Sequence, residues 1–169
     1  MKKSRYIAEM GLMLALASAL QFLESLIPLP LPLGVKAGIS SIVVMAVLAR
    51  LGFVSALTIA VLKSCFVFVT RGATAFFMSV SGGVLSVAVM GAVFAFRRRK
   101  ESGTGILLMS ALGGVSHNLG QLAAASVLMG SAYTLSYMPV LVISGIVSGI
   151  FTGFIFKLIL PFLYKNKDG

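Results

Sequence analysis

One short stretch, GGVSHNLGQL at residues 113–122, gathers polar side chains in otherwise apolar sequence. It contains the single histidine, His117, followed directly by Asn118 and one helical turn later by Gln121. In a helix His117 and Gln121 share a face, and Asn118 lies about 100° round on its flank. Polar groups without partners are costly in hydrocarbon, so this face must point at protein, water or ligand. We interpret it as part of a ligand site, with hydrogen bonding between helices as the alternative.

Isolated charges form a second group of candidate site residues. Glu24 lies one turn inside the first apolar segment, and Lys63 lies about two turns inside the third. Lys36 and Arg71 lie at the same set of helix ends as Glu24, Lys36 in the loop PLPLPLGVKAG and Arg71 in the turn TRGAT. Charges at such depth mark functional sites by default, although Glu24 could instead pair with a lysine and Lys63 could snorkel. Even complete pairing leaves positive charge in excess, which favours an anionic or strongly polar ligand.

Further candidates complete the predicted cavity. Ser79 and Ser81 on the fourth apolar segment would supply hydrogen bonds, and Phe76 and Tyr137 would supply apolar walls or stacking.

Long apolar runs must position these residues. The chain has 169 residues, of which 59% are hydrophobic and 11% charged, well outside the usual range of soluble domains. The runs approach the length that spans a bilayer as a helix, although the second is short. We therefore predict an all-α integral membrane protein, a single transmembrane domain over residues 1–169 with six helices at about 6–27, 37–49, 53–69, 73–96, 104–129 and 137–163.

The basic residues predict an orientation. Eleven of the 14 Lys and Arg residues fall at one set of helix ends. By the positive-inside rule these ends, and both termini, are cytoplasmic. The net charge of +10 is then explained by anionic membrane lipid, without a nucleic acid partner.

Small residues recur at helical spacing in two segments. The first segment carries Gly11, Ala15 and Ala19, and the sixth carries a glycine every fourth residue at 145, 149 and 153. Each stripe predicts either internal packing or a docking face for another membrane subunit. A likeness between SVSGGVLS (79–86) and SALGGVSH (110–117), in oppositely directed segments, suggests an inverted repeat.

The sequence lacks the residues that several classes of activity require. There is no Walker A lysine motif, and one histidine cannot provide paired haem ligation. The single cysteine, Cys65, predicts neither an intrachain disulfide nor a cysteine metal cluster. The lone aspartate, Asp168, rules out an aspartate-rich prenyl-transfer motif. We expect no enzymatic activity, no cofactor and no metal.

Three segments in order, LESLIPLPLPLGVKAG, FMSVSGGVLSVAVMG and GGVSHNLGQLAAA, resemble the Gx transporter family, whose members are often labelled heptaprenyl diphosphate synthase component I. The resemblance covers nearly the whole chain. That family is similar to the S components of energy-coupling-factor transporters. The resemblance implies a six-helix protein of the cell membrane, in what we expect to be a bacterium, that binds a micronutrient from outside.

The same resemblance implies partners. S components dock on a coupling membrane subunit driven by two ATPase subunits, through an Ala-x-x-x-Ala pattern that corresponds here to Ala15 and Ala19. Capture of a micronutrient or of an isoprenoid- or flavin-like ligand is the expected function. Two alternatives stay open: a quinone- or flavin-linked subunit of a membrane redox system, and a structural partner of a polyprenyl diphosphate synthase.

Overall fold

The computed structural model describes residues 3–26, 38–97 and 103–165, and these ranges form helices without any strand. The predicted all-α class is therefore confirmed for the described residues. They contain six α-helices and a short 3₁₀-helix, Ala132–Tyr137, that precedes the last of them. The α-helices are α1 (Lys3–Leu26), α2 (Ile39–Leu51), α3 (Phe53–Arg71), α4 (Ala73–Arg97), α5 (Gly103–Met129) and α6 (Met138–Lys165). Each begins and ends within three residues of its predicted span.

Four helical segments among the described residues are long and apolar enough to cross a membrane. They are Lys3–Leu26, Phe53–Arg71, Ala73–Phe96 and Thr134–Phe162. α5 has 27 residues, but its polar stretch around His117 lowers its hydropathy. α2 has 13 residues, about 20 Å of helix against a hydrocarbon core of about 30 Å. The count of six crossings accordingly stays a prediction.

Two glycines make the tight connections from α2 to α4. Gly52 (φ 91°) and Gly72 (φ 85°) each join two helices as a single non-helical residue. Their N–H groups donate to Val47 O (3.1 Å) and Phe68 O (3.0 Å), which satisfies carbonyls at the end of the preceding helix. The positive φ is a conformation that glycine adopts without steric cost.

The short helix α2 lies at the centre of the fold. Every residue from Ile42 to Leu48 is buried, and the helix contacts α1, α3, α4 and α6. A helix that is hydrophobic all round is expected in a core position. α1 packs on α2 and α3 from the periphery, with 11% of its apolar window buried.

The predicted cytoplasmic helix ends meet at one end of the bundle. Arg50 Nε forms an ion pair with Glu9 Oε1 (2.6 Å), and the Tyr6 hydroxyl lies 2.9 Å from Ser55 Oγ. These contacts bring the start of α1 against the end of α2 and the start of α3. The grouping of basic ends agrees with the predicted topology, while the membrane side they face stays a prediction.

The two small-residue stripes have different surroundings. On α6, a Cβ at Gly149 would come within 2.6 Å of Ala111 Cα and Ser110 O, so this stripe allows α6 to approach α5 closely. On α1, Gly11, Ala15 and Ala19 are all exposed, and a Cβ at Gly11 would meet nothing within 4 Å. The stripe on α6 is thus used in internal packing, and the stripe on α1 is not.

Two hydroxyl pairs join neighbouring helices. Ser79 Oγ lies 2.9 Å from Ser64 Oγ on α3, and Ser110 Oγ lies 2.9 Å from Thr152 Oγ1 on α6. Ser79 and Ser110 are the first residues of the two similar segments at 79–86 and 110–117. The inverted repeat that this likeness suggests stays a prediction.

Candidate functional site

A cavity of about 120 Å³ lies inside the bundle, and all six α-helices contribute to its lining. It reaches from the end of α3 at Arg71 to Met90 and Ser110, each seven residues from the end of its helix on the basic side. Arg71, Glu24 and Gly38 stand at helix ends opposite to the basic cluster. The cavity thus extends from the helix ends that the charge pattern predicts to face outward to beyond the middle of the bundle.

The structure brings most of the predicted ligand-binding residues to this one cavity. Among the described residues, those that line it are Glu24, Lys63, Arg71, Ser79, His117, Asn118 and Gln121. Lys36 lies outside the described residues. The contact of each of these residues with a ligand stays a prediction.

Lys63 is the most deeply placed charge of the site. Its exposed fraction is 4%, and Nζ donates to Ser40 Oγ at 3.4 Å. The next residue of α3, Ser64, is fully buried and pairs with Ser79 across to α4. Lys63 follows Ile59 and Ala60 along the buried face of α3, so its side chain points inward and not toward lipid.

Glu24 has a structural role that the sequence did not reveal. Its Oε1 accepts a hydrogen bond from the N–H of Ile39, the first residue of α2. A carboxylate at this position satisfies an otherwise unpaired donor and complements the positive end of the helix dipole. Capping of α2 explains why an acidic residue lies so deep in α1, and Glu24 still lines the cavity.

His117 and Gln121 form a hydrogen-bonding pair on one face of α5, as their spacing predicts. Gln121 Nε2 lies 3.1 Å from His117 Nε2. The neutral imidazole has one donor and one acceptor nitrogen, and the amide has both kinds of group. The pair can therefore present either a donor or an acceptor to a molecule in the cavity.

Asn118 connects α5 to α6. Its Nδ2 donates to Leu141 O at 2.8 Å and to Ser144 Oγ at 3.2 Å. Both amide hydrogens are thereby used in contacts between helices. Asn118 therefore has the structural role that was the alternative to ligand binding, because it forms hydrogen bonds between helices. It also borders the cavity.

Three other predicted residues lie away from the lining. Ser81 Oγ donates to Gly120 O at 2.7 Å, which joins α4 to α5. Phe76 makes edge-to-face contacts with Phe68 (centroids 5.7 Å apart) and Phe77 (5.3 Å). Tyr137 is 45% exposed at the end of the 3₁₀-helix.

One residue that lines the cavity was not predicted from the sequence. Gln21 lies one turn before Glu24 on α1, is 8% exposed and lines the cavity. Its Oε1 is buried and has no hydrogen-bond partner among the described residues. The spacing of three residues from Glu24 was the available signal, since residues at i and i+3 share a helix face.

The charges that line the cavity leave a positive excess. Lys63 and Arg71 contribute two positive charges and Glu24 one negative charge. Among the described residues, no group of three or more His, Cys, Asp and Glu side chains comes together as a potential metal site. The chemistry available to the walls is therefore hydrogen bonding and charge complementarity with an occupant.

The volume of the cavity limits what it encloses. An engineered protein cavity of about 150 Å³ holds benzene. A space of about 120 Å³ holds a compact molecule or head group of that order. A flavin ring system or a polyprenyl chain is larger, and would fit only if the helices separated.

Comparisons with known proteins identify one relationship. A family model described as heptaprenyl diphosphate synthase component I matches residues 13–159, which is most of the chain and includes α2 to α5 in full. Searches of curated proteins and of solved structures found no match.

Proposed function

We propose that this chain, which belongs to the heptaprenyl diphosphate synthase component I family, is the substrate-binding S component of an energy-coupling-factor-type uptake transporter in the cell membrane. It would capture a small polar or anionic ligand from the outer side and then dock on a coupling subunit with two ATPase subunits. The observation that carries the proposal is the cavity inside the bundle, which reaches the helix ends opposite to the basic ends. The convergence of Lys63, His117 and Gln121 on that space supports a binding role for it.

The exposed stripe on α1 supports the docking part of the proposal. Gly11, Ala15 and Ala19 present small side chains on the most peripheral helix, where close approach of another helix meets no obstacle. The described residues leave this face exposed.

The proposed ligand site is tested with His117→Ala. The substitution removes one or two hydrogen bonds to an occupant, each about 1–1.5 kcal/mol, so ligand affinity should fall roughly tenfold. Native mass spectrometry of gently purified protein first identifies the molecule that co-purifies, and calorimetry then measures its affinity. Tyr6→Phe is the matched control, because it removes a contact between helices at the basic end, outside the cavity lining. Unchanged affinity in a destabilised His117→Ala protein would limit His117 to a structural role.

The family description favours a second candidate. It names a component of a prenyl diphosphate synthase, so the chain would be a membrane partner of a catalytic subunit. The cavity is smaller than a heptaprenyl chain, which favours binding of a head group over storage of the product. Affinity purification decides between the two: recovery of ATPase subunits supports transport, and recovery of a soluble prenyl synthase subunit supports the second candidate.

A further inference from the structure

The helix α1 turns a polar face toward the bundle. Its buried residues are Ala17, Gln21 and Glu24, at the spacing i, i+4 and i+7. Large apolar side chains of the same helix, including Leu12 at 67% and Leu23 at 54%, are exposed. For a helix in lipid this is the expected arrangement when the inner face borders a polar space.

Gln21 carries an acceptor that the described residues leave unused. Its Oε1 is buried without a hydrogen-bond partner, while Oε1 of Glu24 on the same face accepts from the Ile39 N–H. A buried acceptor left unpaired costs about 1–3 kcal/mol, and such groups are rare in folded proteins. Gln21 also lines the cavity, so a turn of its side chain would bring this oxygen against a donor on a molecule inside it.

The adjoining wall, formed by α3, has the complementary polarity. Lys63 and Arg71 on α3 are cationic and only donate hydrogen bonds. The α1 wall offers the amide oxygen of Gln21 and the carboxylate of Glu24, which accept. A molecule that touches both walls must therefore donate on the α1 side and accept, or carry negative charge, on the α3 side.

We infer that the cavity binds a small amphoteric molecule, with an amine or other N–H group against Gln21 and Glu24 and a carboxylate or similar anionic group against Lys63 and Arg71. The inference rests on the proposed function in one respect, that the cavity is a ligand site. It adds the substrate class: a compound that carries both a donor group and an acid, of a size that about 120 Å³ can enclose. One positive charge in excess on the walls makes the acid the stronger requirement of the two.

Three probes with the same three-carbon chain test the recognition of both groups. β-Alanine carries both an ammonium and a carboxylate, propionate lacks the amine, and propylamine lacks the acid. Each is titrated to about 20 mM against the purified protein in lipid nanodiscs at neutral pH, and the melting temperature is recorded, since compounds this small bind in the millimolar range. β-Alanine should stabilise the protein most, propionate less, and propylamine least. Equal stabilisation by β-alanine and propionate overturns the role of the α1 wall, and no stabilisation by β-alanine overturns the inference altogether.

Gln21→Met separates recognition from structural use of Gln21. Methionine keeps the length of the side chain but removes the amide oxygen. Because that oxygen has no partner among the described residues, the ligand-free variant should be as stable as the parent or more stable. The β-alanine concentration needed for half of the stabilisation should rise about tenfold, while that for propionate should not change. Lower stability of the ligand-free variant would mean that the oxygen has a partner inside the protein, and would refute the inference. Tyr6→Phe, on the same helix and outside the cavity lining, should change neither concentration.

The thermal-shift test of the inference and the co-purification test of the transport proposal can fail independently of each other. If ATPase subunits co-purify but β-alanine does not stabilise the protein, the transport proposal stands and the inference is wrong. If β-alanine stabilises the protein and no ATPase co-purifies, the binding site stands and the transporter assignment fails.

Discussion

Gly149→Ala should destabilise the protein, because this glycine sets the distance between α5 and α6. The added Cβ would lie 2.6 Å from Ala111 Cα and 2.6 Å from Ser110 O. Carbon atoms in contact need about 3.5–4.0 Å, so the overlap with Cα is about 1 Å. Both opposing atoms belong to the backbone, which means that the helices must separate and cannot relieve the overlap with a rotamer change.

The expected loss in the free energy of unfolding is the sum of three contributions. Overpacking of this kind costs about 1–3 kcal/mol. Separation of the helices also weakens the bond between Ser110 and Thr152, worth about 0.6 kcal/mol between membrane helices. The higher helix propensity of alanine offsets about 0.5–1 kcal/mol. The free energy of unfolding should fall by about 2 kcal/mol, or the melting temperature by several degrees.

Gly11→Ala is the matched control. A Cβ there meets nothing within 4 Å, so the variant should gain about 0.5–1 kcal/mol from helix propensity alone. Thermal unfolding followed by far-ultraviolet circular dichroism suits this chain, which has no tryptophan and whose Cys65 is exposed before unfolding. If Gly149→Ala proved as stable as Gly11→Ala, the close approach of α5 and α6 would be refuted.

Further predictions concern charge, topology and docking. Lys63→Met should weaken binding of the carboxylate probe propionate more than that of propylamine, measured by thermal shift, and equal losses would contradict a charge role. In intact cells a thiol reagent should label a cysteine placed at Ser131 and spare one at Ser102, and the reverse pattern would invert the topology. Ala15→Trp and Ala19→Trp should keep β-alanine binding and lose co-purification of ATPase subunits, whereas retained co-purification would make the stripe a lipid-facing surface.

The helices were predictable because each is marked by residues that are close together in the sequence. Runs of apolar residues end at Gly52 and Gly72, and the structure has helix boundaries at those glycines. The shared face of His117 and Gln121 follows from helical spacing alone, and the two side chains lie 3.1 Å apart at their Nε2 atoms.

The contacts between helices were not predictable. A buried polar group needs a partner, but the sequence offers several possible partners for each such group. Glu24 had three apparent options, pairing with either of two lysines or binding a ligand, and the structure adds a fourth, the cap of α2 through the Ile39 N–H. A backbone N–H at a helix start has no mark in the sequence beyond the preceding Gly38. Gln21 was missed for a related reason, since a single glutamine in an apolar helix becomes informative only when its buried oxygen lacks a partner.

The two hydroxyl pairs have a consequence for how the bundle can open. Ser64 and Ser79 join α3 to α4, and Ser110 and Thr152 join α5 to α6, each pair at a separation of 2.9 Å. Each bond contributes about 0.6 kcal/mol between membrane helices, so these bonds alone hold α3 and α6 about equally. At Gly149 the backbones of α5 and α6 also come into direct contact. Movement of α3 away from α4 should therefore cost less than movement of α6 away from α5, which makes α3 the helix more able to shift when the cavity is filled.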